Sequence, residues 1–444
     1  MSQKKLSAWV ISVDMGYGHQ RAAYPLKDIA FERIITANSD KVISAQERRW
    51  WKRARAFYEF ISRVKKIPVI GSLAFGLYDQ LQSISPFFPF RDLSKPNFAA
   101  LRMRQSIRRG LCKSLIQYTE MEKLPIVATH FTPALAYHYA GKECYCVATD
   151  TDVNRVWVPV NPKECRITYF SPCRHVTTRL REYGVPEDKI VETGFPLPKE
   201  NIGPKGATLK RDLFERLVNL DPRGVFFAKY GDLVLQKFRP DKRLKRLTPE
   251  AALKYKTHPL TITYLVGGSG AQTDIGVELI ASLKARIAAK HVRVILSAGT
   301  RLEAKTYFEE ELRKLGLQHH LGADIVIVFA FEKREYFAEL NSWLRTTDIL
   351  WTKPSELSFY TALGLPIIIA PPIGAHEHHN RAWLEQIGSG FIQEDPKFVN
   401  DWLFYWVNDG RFAEAALRGY LDAPSTGTES IETYLRNKTI NSTK

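Results

Sequence analysis

The chain has 444 residues, so two or three domains are expected. A content of 45% hydrophobic and 12% aromatic residues excludes an intrinsically disordered chain. The net charge of +17 favours a polyanionic partner, either nucleic acid, acidic lipid or a phosphorylated substrate.

Short β-branched runs alternate with helical segments in two blocks of the chain. The runs are Trp9–Val13, Ile126–Ala128, Thr261–Val266, Val292–Leu296, Ile325–Val328, Ile349–Trp351 and Pro366–Ala370. Apolar strands separated by helices are typical of parallel sheets that are covered on both faces. The pattern therefore predicts an α/β protein with two domains, at residues 1–200 and 258–412.

Two further segments connect and follow these domains. Residues 201–257 are rich in Lys, Arg and Pro and form an elaborated interdomain connection, in which GVFFAKYGDLVLQKF is expected to add a strand or a hairpin. Residues 413–435 are expected to form helices that return to the N-terminal domain. The five cysteines fit no zinc or disulfide spacing and indicate reduced core thiols in a cytoplasmic protein.

Residues 46–110 form an insertion with 14 basic and four acidic residues. Aromatic side chains, among them Trp50, Trp51, Phe57 and Tyr58, recur at helical spacing with cations between them. This composition fits a helix in the interface of an anionic membrane. It fits equally a helical insertion that packs on its own domain and exposes a basic face. No RNA-binding signature accompanies it, so nucleic acid is not expected.

Three turns carry possible binding chemistry. The first, Gly16-Tyr17-Gly18-His19, follows the first strand and opens a helix, where a ligand can approach the backbone. The second, Gly267 to Gly270, follows the first strand of the second block and lacks the Lys-Ser/Thr of a Walker sequence. Each turn is compatible with a ligand cradle or with a purely structural turn. In the structural interpretation of the first turn, His19 only caps the helix or packs against its neighbours.

The third turn begins at Lys353-Pro354, after a predicted strand, and leads into a helix at 355–363. A helix start at the carboxyl end of a strand can hold a diphosphate without a metal. A polar loop from His376 to Asn380 follows the next strand and can reach the hydroxyl groups of a sugar. Three histidines within four residues cannot easily face one ion, so no metal is expected.

In this order, the motifs resemble those of the GT-B glycosyltransferases of family 28, which include monogalactosyldiacylglycerol synthase, processive diacylglycerol glucosyltransferases and lipid-linked N-acetylglucosaminyltransferases. The matching segments are the GxGH turn at Gly16–His19, Thr149-Asp150 with Trp157, the glycine loop at Gly267–Gly270, the base loop at Phe329–Phe331, the TKPGG turn at Thr352–Glu356 and the GQExxN motif at Ala375–Asn380. The resemblance implies a GT-B fold, with two Rossmann-like doubly wound domains facing a cleft.

The resemblance also implies roles for individual residues. Asp150 is implied as the catalytic base, His19 as the residue that orients the acceptor or assists transfer, and Gly16 and Gly18 as the acceptor loop. The implied donor-binding residues are Gly268, Ser269, Gly270, Phe331, Lys353, Ser355, Thr361, His376, Glu377 and Asn380. Lys353 would neutralise the leaving phosphate.

The implied activity is an inverting, metal-independent transfer of a sugar from a nucleotide diphosphate, such as a UDP-sugar, to a lipid such as diacylglycerol. The implied location is cytoplasmic, peripheral on the inner face of the cell membrane, and no cofactor is expected. Four positions differ from the family: Thr361 replaces the Glu that holds the ribose, Ser355-Glu356 replaces Gly-Gly, and His376 replaces Gln. A sugar-nucleotide epimerase or hydrolase and a non-catalytic sugar-phosphate-binding relative therefore remain alternatives.

Overall fold

A computed structural model describes residues 6–53, 84–238, 248–266, 272–372 and 374–441. The chain forms two compact units. The first comprises Met1–Leu197, Gly374–Asn380 and Thr426–Lys444, and the second comprises Pro198–Ile373 and Arg381–Ser425. The predicted connection at 201–257 is thus counted with the second unit, and the segment at 374–380 is counted with the first.

The first unit is built on a parallel sheet of six strands in the order β2-β1-β3-β4-β5-β6. The strands are β1 Trp9–Ser12, β2 Ile35–Thr36, β3 Ile126–Ala128, β4 Cys144–Val147, β5 Ile167–Ser171 and β6 Ile190–Glu192. Its helices include α1 Gly18–Ala23, α2 at residues 45–53, α3 Phe98–Arg108, α4 Lys113–Thr119, α5 Phe131–Tyr139 and α6 Arg174–Glu182. The strand order changes direction between β1 and β3, where open α/β sheets bind ligands.

The second unit contains a parallel sheet of six strands in the order β12-β11-β10-β7-β8-β9. The strands are β7 Leu260–Leu265, β8 Val292–Gly299, β9 Ile325–Phe329, β10 Ile349–Thr352, β11 Ile367–Ile369 and β12 Gly390–Ile392. Here the order changes direction between β7 and β10. The two sheets confirm the predicted α/β class with two Rossmann-like doubly wound domains.

The remaining helices complete both units. They are α7 Lys199–Ile202, α8 Ala207–Asn219, α9 Val225–Phe238, α10 Pro249–Leu253, α11 Thr273–Ala288, α12 Leu302–Lys314, α13 Lys333–Leu344, α14 Ala375–Gln386, α15 Val399–Asn408, α16 Arg411–Asp422 and α17 Gly427–Asn441. Of the predicted C-terminal helices, α16 lies in the second unit and α17 in the first.

The prediction of a strand or hairpin within residues 201–257 is wrong, because GVFFAKYGDLVLQKF forms the helix α9. Its buried residues include Phe227, Gly231 and Val234, which recur every three or four positions as on one face of a helix. The side chain of Asp221 accepts hydrogen bonds from the backbone N–H groups of Phe226 and Phe227, at 3.0 and 2.8 Å. These bonds satisfy donors that a helix start leaves without an internal partner.

The basic insertion is described only in part, since residues 54–83 lie outside the described ranges. Trp51 in α2 is buried and contacts His130 ring to ring at 6.3 Å, so this aromatic residue packs on the first unit. In the ranges that the structure covers, no helix combines the length and the apolar composition that crossing a bilayer requires.

Candidate active site

The His19 turn lies at the carboxyl end of β1, beside the change in strand order. Gly16 has a φ of +89°, a conformation that side-chain-bearing residues rarely adopt, and Gly18 begins α1. The glycine pattern therefore serves the backbone path that turns the chain from β1 into α1. His19 follows on this helix and is half-buried.

The ring of His19 is fixed by the turn after β3. Its Nδ1 lies 2.7 Å from the carbonyl oxygen of Thr129 and 3.2 Å from Oγ1 of Thr149. The hydroxyl of Thr129 donates to the carbonyl oxygen of His19 at 2.7 Å. A carbonyl only accepts, so Nδ1 carries the hydrogen and Nε2 carries the lone pair of the neutral ring. His19 is thereby held in the tautomer that can accept a proton at Nε2.

An uncharged aromatic environment flanks His19. The ring of His130 is buried and meets the ring of His19 edge-on at 4.5 Å, and Phe131 stacks on His130 at 4.2 Å. Burial, together with the proximity of His19, lowers the pKa of His130 well below its usual value. Trp157, one of the motif residues, is also buried and lies 6.5 Å from the ring of His19.

Asp150 follows β4 and is joined to Asn380 near the beginning of α14. The Nδ2 of Asn380 donates to Oδ1 of Asp150 at 3.1 Å. The backbone N–H and the hydroxyl of Thr151 both donate to Oδ1 of Asn380 at 2.9 Å. Because the N–H of Thr151 can only donate, this contact fixes the orientation of the Asn380 amide. The candidate base and one predicted donor-binding residue are thus brought together within the first unit.

The polar loop contains two further predicted donor-binding residues, Glu377 and His376. Glu377 is buried, and its Oε2 accepts a hydrogen bond of 3.4 Å from the backbone N–H of Gly374. The carboxylate therefore stabilises the beginning of α14, where backbone donors are exposed. The side chain of His376 lies outside the described part of the structure.

A buried charge cluster two residues beyond Asp150 was not predicted from the sequence. Arg179 forms two hydrogen bonds of 2.8 Å to the carboxylate of Asp152, from Nε to Oδ1 and from Nη2 to Oδ2. His175 Nε2 and His379 Nδ1 lie 2.9 and 3.5 Å from Oδ2. Burial alone raises the pKa of Asp152, but the hydrogen bonds from His175 and Arg179 outweigh it and hold that pKa below its usual value.

Weak signals for this cluster exist in the sequence. One signal is Asp152, the second acidic residue of the segment Thr149-Asp150-Thr151-Asp152. The other is the spacing of four between His175 and Arg179, which places both on one face of a helix. Their convergence depends on contacts across 23 and 27 positions of the chain, which no local pattern reveals.

In the second unit, Lys353 and Ser355 follow β10 as predicted, but the helix after them is of the 3₁₀ type. It spans Glu356–Leu363, and all eight residues are buried. Glu356, at its first position, is buried rather than directed into solvent. The helix predicted at 355–363 is therefore present as a buried 3₁₀ helix, with Ser355 directly before its first residue.

Thr361 does not present its side chain to a ligand. It is fully buried, and its hydroxyl is hydrogen-bonded to that of Ser389. By contrast, Phe331, beyond the carboxyl end of β9, is 75% exposed and meets Phe329 edge-on at 5.0 Å. Gly268, Ser269 and Gly270 lie outside the described residues, directly after β7 in the chain.

Sequence comparison relates the chain to known proteins. A family model described as a domain of unknown function (DUF6938) matches residues 240–400. A processive diacylglycerol beta-glucosyltransferase of Bacillus cereus is 25% identical over 299 residues. That match covers 66% of this chain, and the chain spans 61% of the length of this relative.

Two solved structures are also similar in part. MurG of Acinetobacter baumannii is 13% identical, with a TM-score of 0.43, and the match covers 75% of this chain and 79% of that chain. A UDP-GlcNAc 2-epimerase of Neisseria meningitidis is also 13% identical, with a TM-score of 0.43, and the match covers 77% of this chain and 83% of that chain. The sequence relatives confirm the resemblance indicated by the motifs: this chain is similar to processive diacylglycerol beta-glucosyltransferases.

Proposed function

We propose that this protein is an inverting glycosyltransferase that moves a sugar from a nucleoside-diphosphate donor, such as a UDP-sugar, to the hydroxyl group of a lipid such as diacylglycerol. The observation that carries the proposal is the hydrogen bond of 3.1 Å between Asn380 and Asp150. It joins the candidate base to the polar loop that family likeness assigns to the donor sugar. The similarity to diacylglycerol glucosyltransferases supports the donor and acceptor classes.

In the proposed reaction, the acceptor hydroxyl oxygen attacks the anomeric carbon of the donor sugar. The bond from that carbon to the diphosphate breaks, and the nucleoside diphosphate leaves with the electron pair. Asp150 takes the proton of the attacking hydroxyl, as a general base does. Since Asn380 binds Oδ1, we assign Oδ2 to the acceptor hydroxyl. One displacement inverts the anomeric configuration.

His19 and Lys353 complete the proposed mechanism. His19 is held with its lone pair on Nε2, so it can accept a hydrogen bond from the acceptor and orient it. Lys353 follows the central strand β10, and we assign to it the positive charge that neutralises the leaving diphosphate. The scheme places this charge on a protein cation and uses no metal.

A segment of the first unit with exposed aromatic rings supports a lipid acceptor at an anionic membrane. Phe88, Phe90 and Phe98 are 67%, 82% and 62% exposed. Basic residues surround them in the chain, namely Arg91, Lys95, Arg102, Arg104, Arg108 and Arg109. Exposed aromatic rings among cations favour the interface of a membrane with acidic lipids. We refer to these nine residues as the aromatic-basic segment.

The decisive experiment incubates the full chain with a panel of sugar nucleotides, with and without diacylglycerol vesicles, and with and without a chelator. Glycolipid that forms only with vesicles, and equally with chelator, is the expected result. Sugar-nucleotide turnover without lipid would instead identify an epimerase or hydrolase. Binding of sugar nucleotides without any turnover would identify a non-catalytic relative.

A further inference from the structure

Two neighbouring residues of α14 contact the turn that follows β4. Asn380 binds Asp150 and Thr151 through its side-chain amide, and His379 contacts Asp152 with its ring. All these residues belong to the first unit. The beginning of α14 is therefore attached to three consecutive residues of the turn.

We propose that Asp152 is a positioning residue, which holds the beginning of α14 through His379 so that Asn380 stays against Asp150. The proposal rests on the proposed function for its catalytic meaning, since Asp150 is the candidate base. Asp152 touches neither substrate in this scheme and acts through the position of its neighbours.

Asp152 is itself held firmly. Its carboxylate receives both hydrogen bonds of Arg179 and one of 2.8 Å from the backbone N–H of Val153. Arg179 is fixed in turn, since its Nη1 donates to the carbonyl oxygen of Ser85 at 2.7 Å and its guanidinium lies over the ring of Phe87 at 3.8 Å. A bidentate, buried Arg–carboxylate pair has a defined geometry, so it supplies a rigid attachment point.

His379 is the adjustable part of this attachment. Its side chain is 34% exposed, whereas that of Asp152 is fully buried. The carboxylate of Asp152 is already balanced by Arg179, so a proton on His379 would add positive charge beside Arg179 and His175. Burial lowers the pKa of His379, Asp152 opposes this effect, and Arg179, His175 and His378 add to the lowering. The lowered pKa favours the neutral ring, and Oδ2 of Asp152 can accept from Nδ1 when Nδ1 carries the hydrogen.

Substitutions at His379 test the proposal without disturbing the buried ion pair. In His379→Ala the contact to Asp152 is lost, whereas in His379→Asn an amide N–H takes the place of Nδ1. His378→Ala, at the exposed neighbouring position of α14, is the matched control. Hydrogen exchange of peptides from residues 374–386 of the full chain measures how firmly the helix start is held, independently of any activity.

We expect His379→Ala to lower the protection of this segment about tenfold, His379→Asn to restore it to within about twofold, and His378→Ala to leave it unchanged. In acid, protonation of His379 should lower the protection of this segment in the wild-type chain, after correction for the pH dependence of intrinsic exchange. The Asn side chain does not titrate, so the protection in His379→Asn should not fall. The proposal would be wrong if residues 374–386 were as strongly protected in His379→Ala as in the wild-type chain. It would also be wrong if His378→Ala lowered their protection as much as His379→Ala does.

A second readout connects the attachment to transfer. His379→Ala should lower kcat about tenfold with a smaller change in the donor KM, and His379→Asn should recover most of it. A fall in kcat with unchanged protection would overturn the positioning role. If the wild-type chain transfers no sugar, the proposed function fails, and the exchange results alone decide whether Asp152 positions α14.

Discussion

Asn380 and Asp150 lie 230 positions apart in the chain, and the side-chain amide of one donates to the carboxylate of the other at 3.1 Å. The motif that supplies Asn380 was assigned to the donor sugar, and the motif that supplies Asp150 was assigned to the base. Their hydrogen bond gives these two assignments a common place at the carboxyl edge of the first sheet.

Asp150→Asn should reduce kcat for transfer by a factor of about 10²–10⁴, because an amide cannot take the proton of the acceptor. Binding of the sugar nucleotide, measured by calorimetry, should persist, since this side chain is not assigned to the donor. Asp188→Asn, at an exposed position of the same unit, is the control and should keep full activity. Near-normal turnover in Asp150→Asn would move the base to another residue, with His19 as the first choice.

His19→Asn separates the structural role of the ring from its chemistry. The Asn amide can still donate to the carbonyl oxygen of Thr129, as Nδ1 does, but it lacks the lone pair of Nε2. We therefore expect a thermal midpoint close to that of the wild-type chain and a fall in kcat of about tenfold to a hundredfold. His19→Ala should lose stability as well. Full activity in His19→Asn would show that the ring only braces the turn.

The buried strands were predictable because parallel strands covered on both faces are continuous apolar runs. Val292–Leu296 and Ile325–Val328, for example, fall within β8 and β9. The strand β2 has only two residues and therefore no periodicity to detect. The segment that forms α9 was misjudged because its aromatic residues favour strands locally, whereas the spacing of its buried face is helical.

The site was predictable where the chemistry is local and unpredictable where it depends on packing. The glycine turn before His19 can be derived from a single segment of sequence, whereas Asp150 was identified only through the family resemblance and no strand was predicted before it. The carboxylate of Asp152 cannot be derived from a single segment, because His175, Arg179 and His379 reach it from two different helices. The burial of Thr361 is likewise a tertiary property, set by Ser389 and not by its own segment.

The aromatic-basic segment should bind anionic membranes. Replacing Phe90 and Phe98 by Ser should reduce cosedimentation with vesicles that contain acidic phospholipid, because exposed rings lose apolar burial in the interface. Neutralising Arg48, Arg49, Lys52 and Arg53 should weaken the same binding, and added salt should do so for the wild-type chain. Tyr405→Ser, which removes a 62% exposed ring from the second unit, is the control. If all variants sediment like the wild-type chain, the membrane contact lies elsewhere.

The carboxyl group of Asp348 should make the stability of the second unit depend on pH. It is fully buried at the start of β10, where it accepts hydrogen bonds from Asn219 and from the backbone N–H of Thr261. Burial raises the pKa of Asp348 to about 6, although His258, 3.7 Å away, and these hydrogen bonds counteract the rise. Because the folded-state pKa exceeds that of the unfolded chain, its contribution to stability is complete below about pH 4 and is lost as the pH rises through about 6.

Asp348→Asn does not titrate, so its free energy of unfolding relative to the wild-type chain should increase between about pH 4 and pH 7. One pKa unit corresponds to about 1.4 kcal/mol, which limits the increase to the order of 3 kcal/mol. Urea unfolding at several pH values, with Asp401→Asn as an exposed control, measures this difference. A difference that stays constant with pH would mean that the pKa of Asp348 is the same in the folded and the unfolded chain, so that His258 and the hydrogen bonds offset the effect of burial.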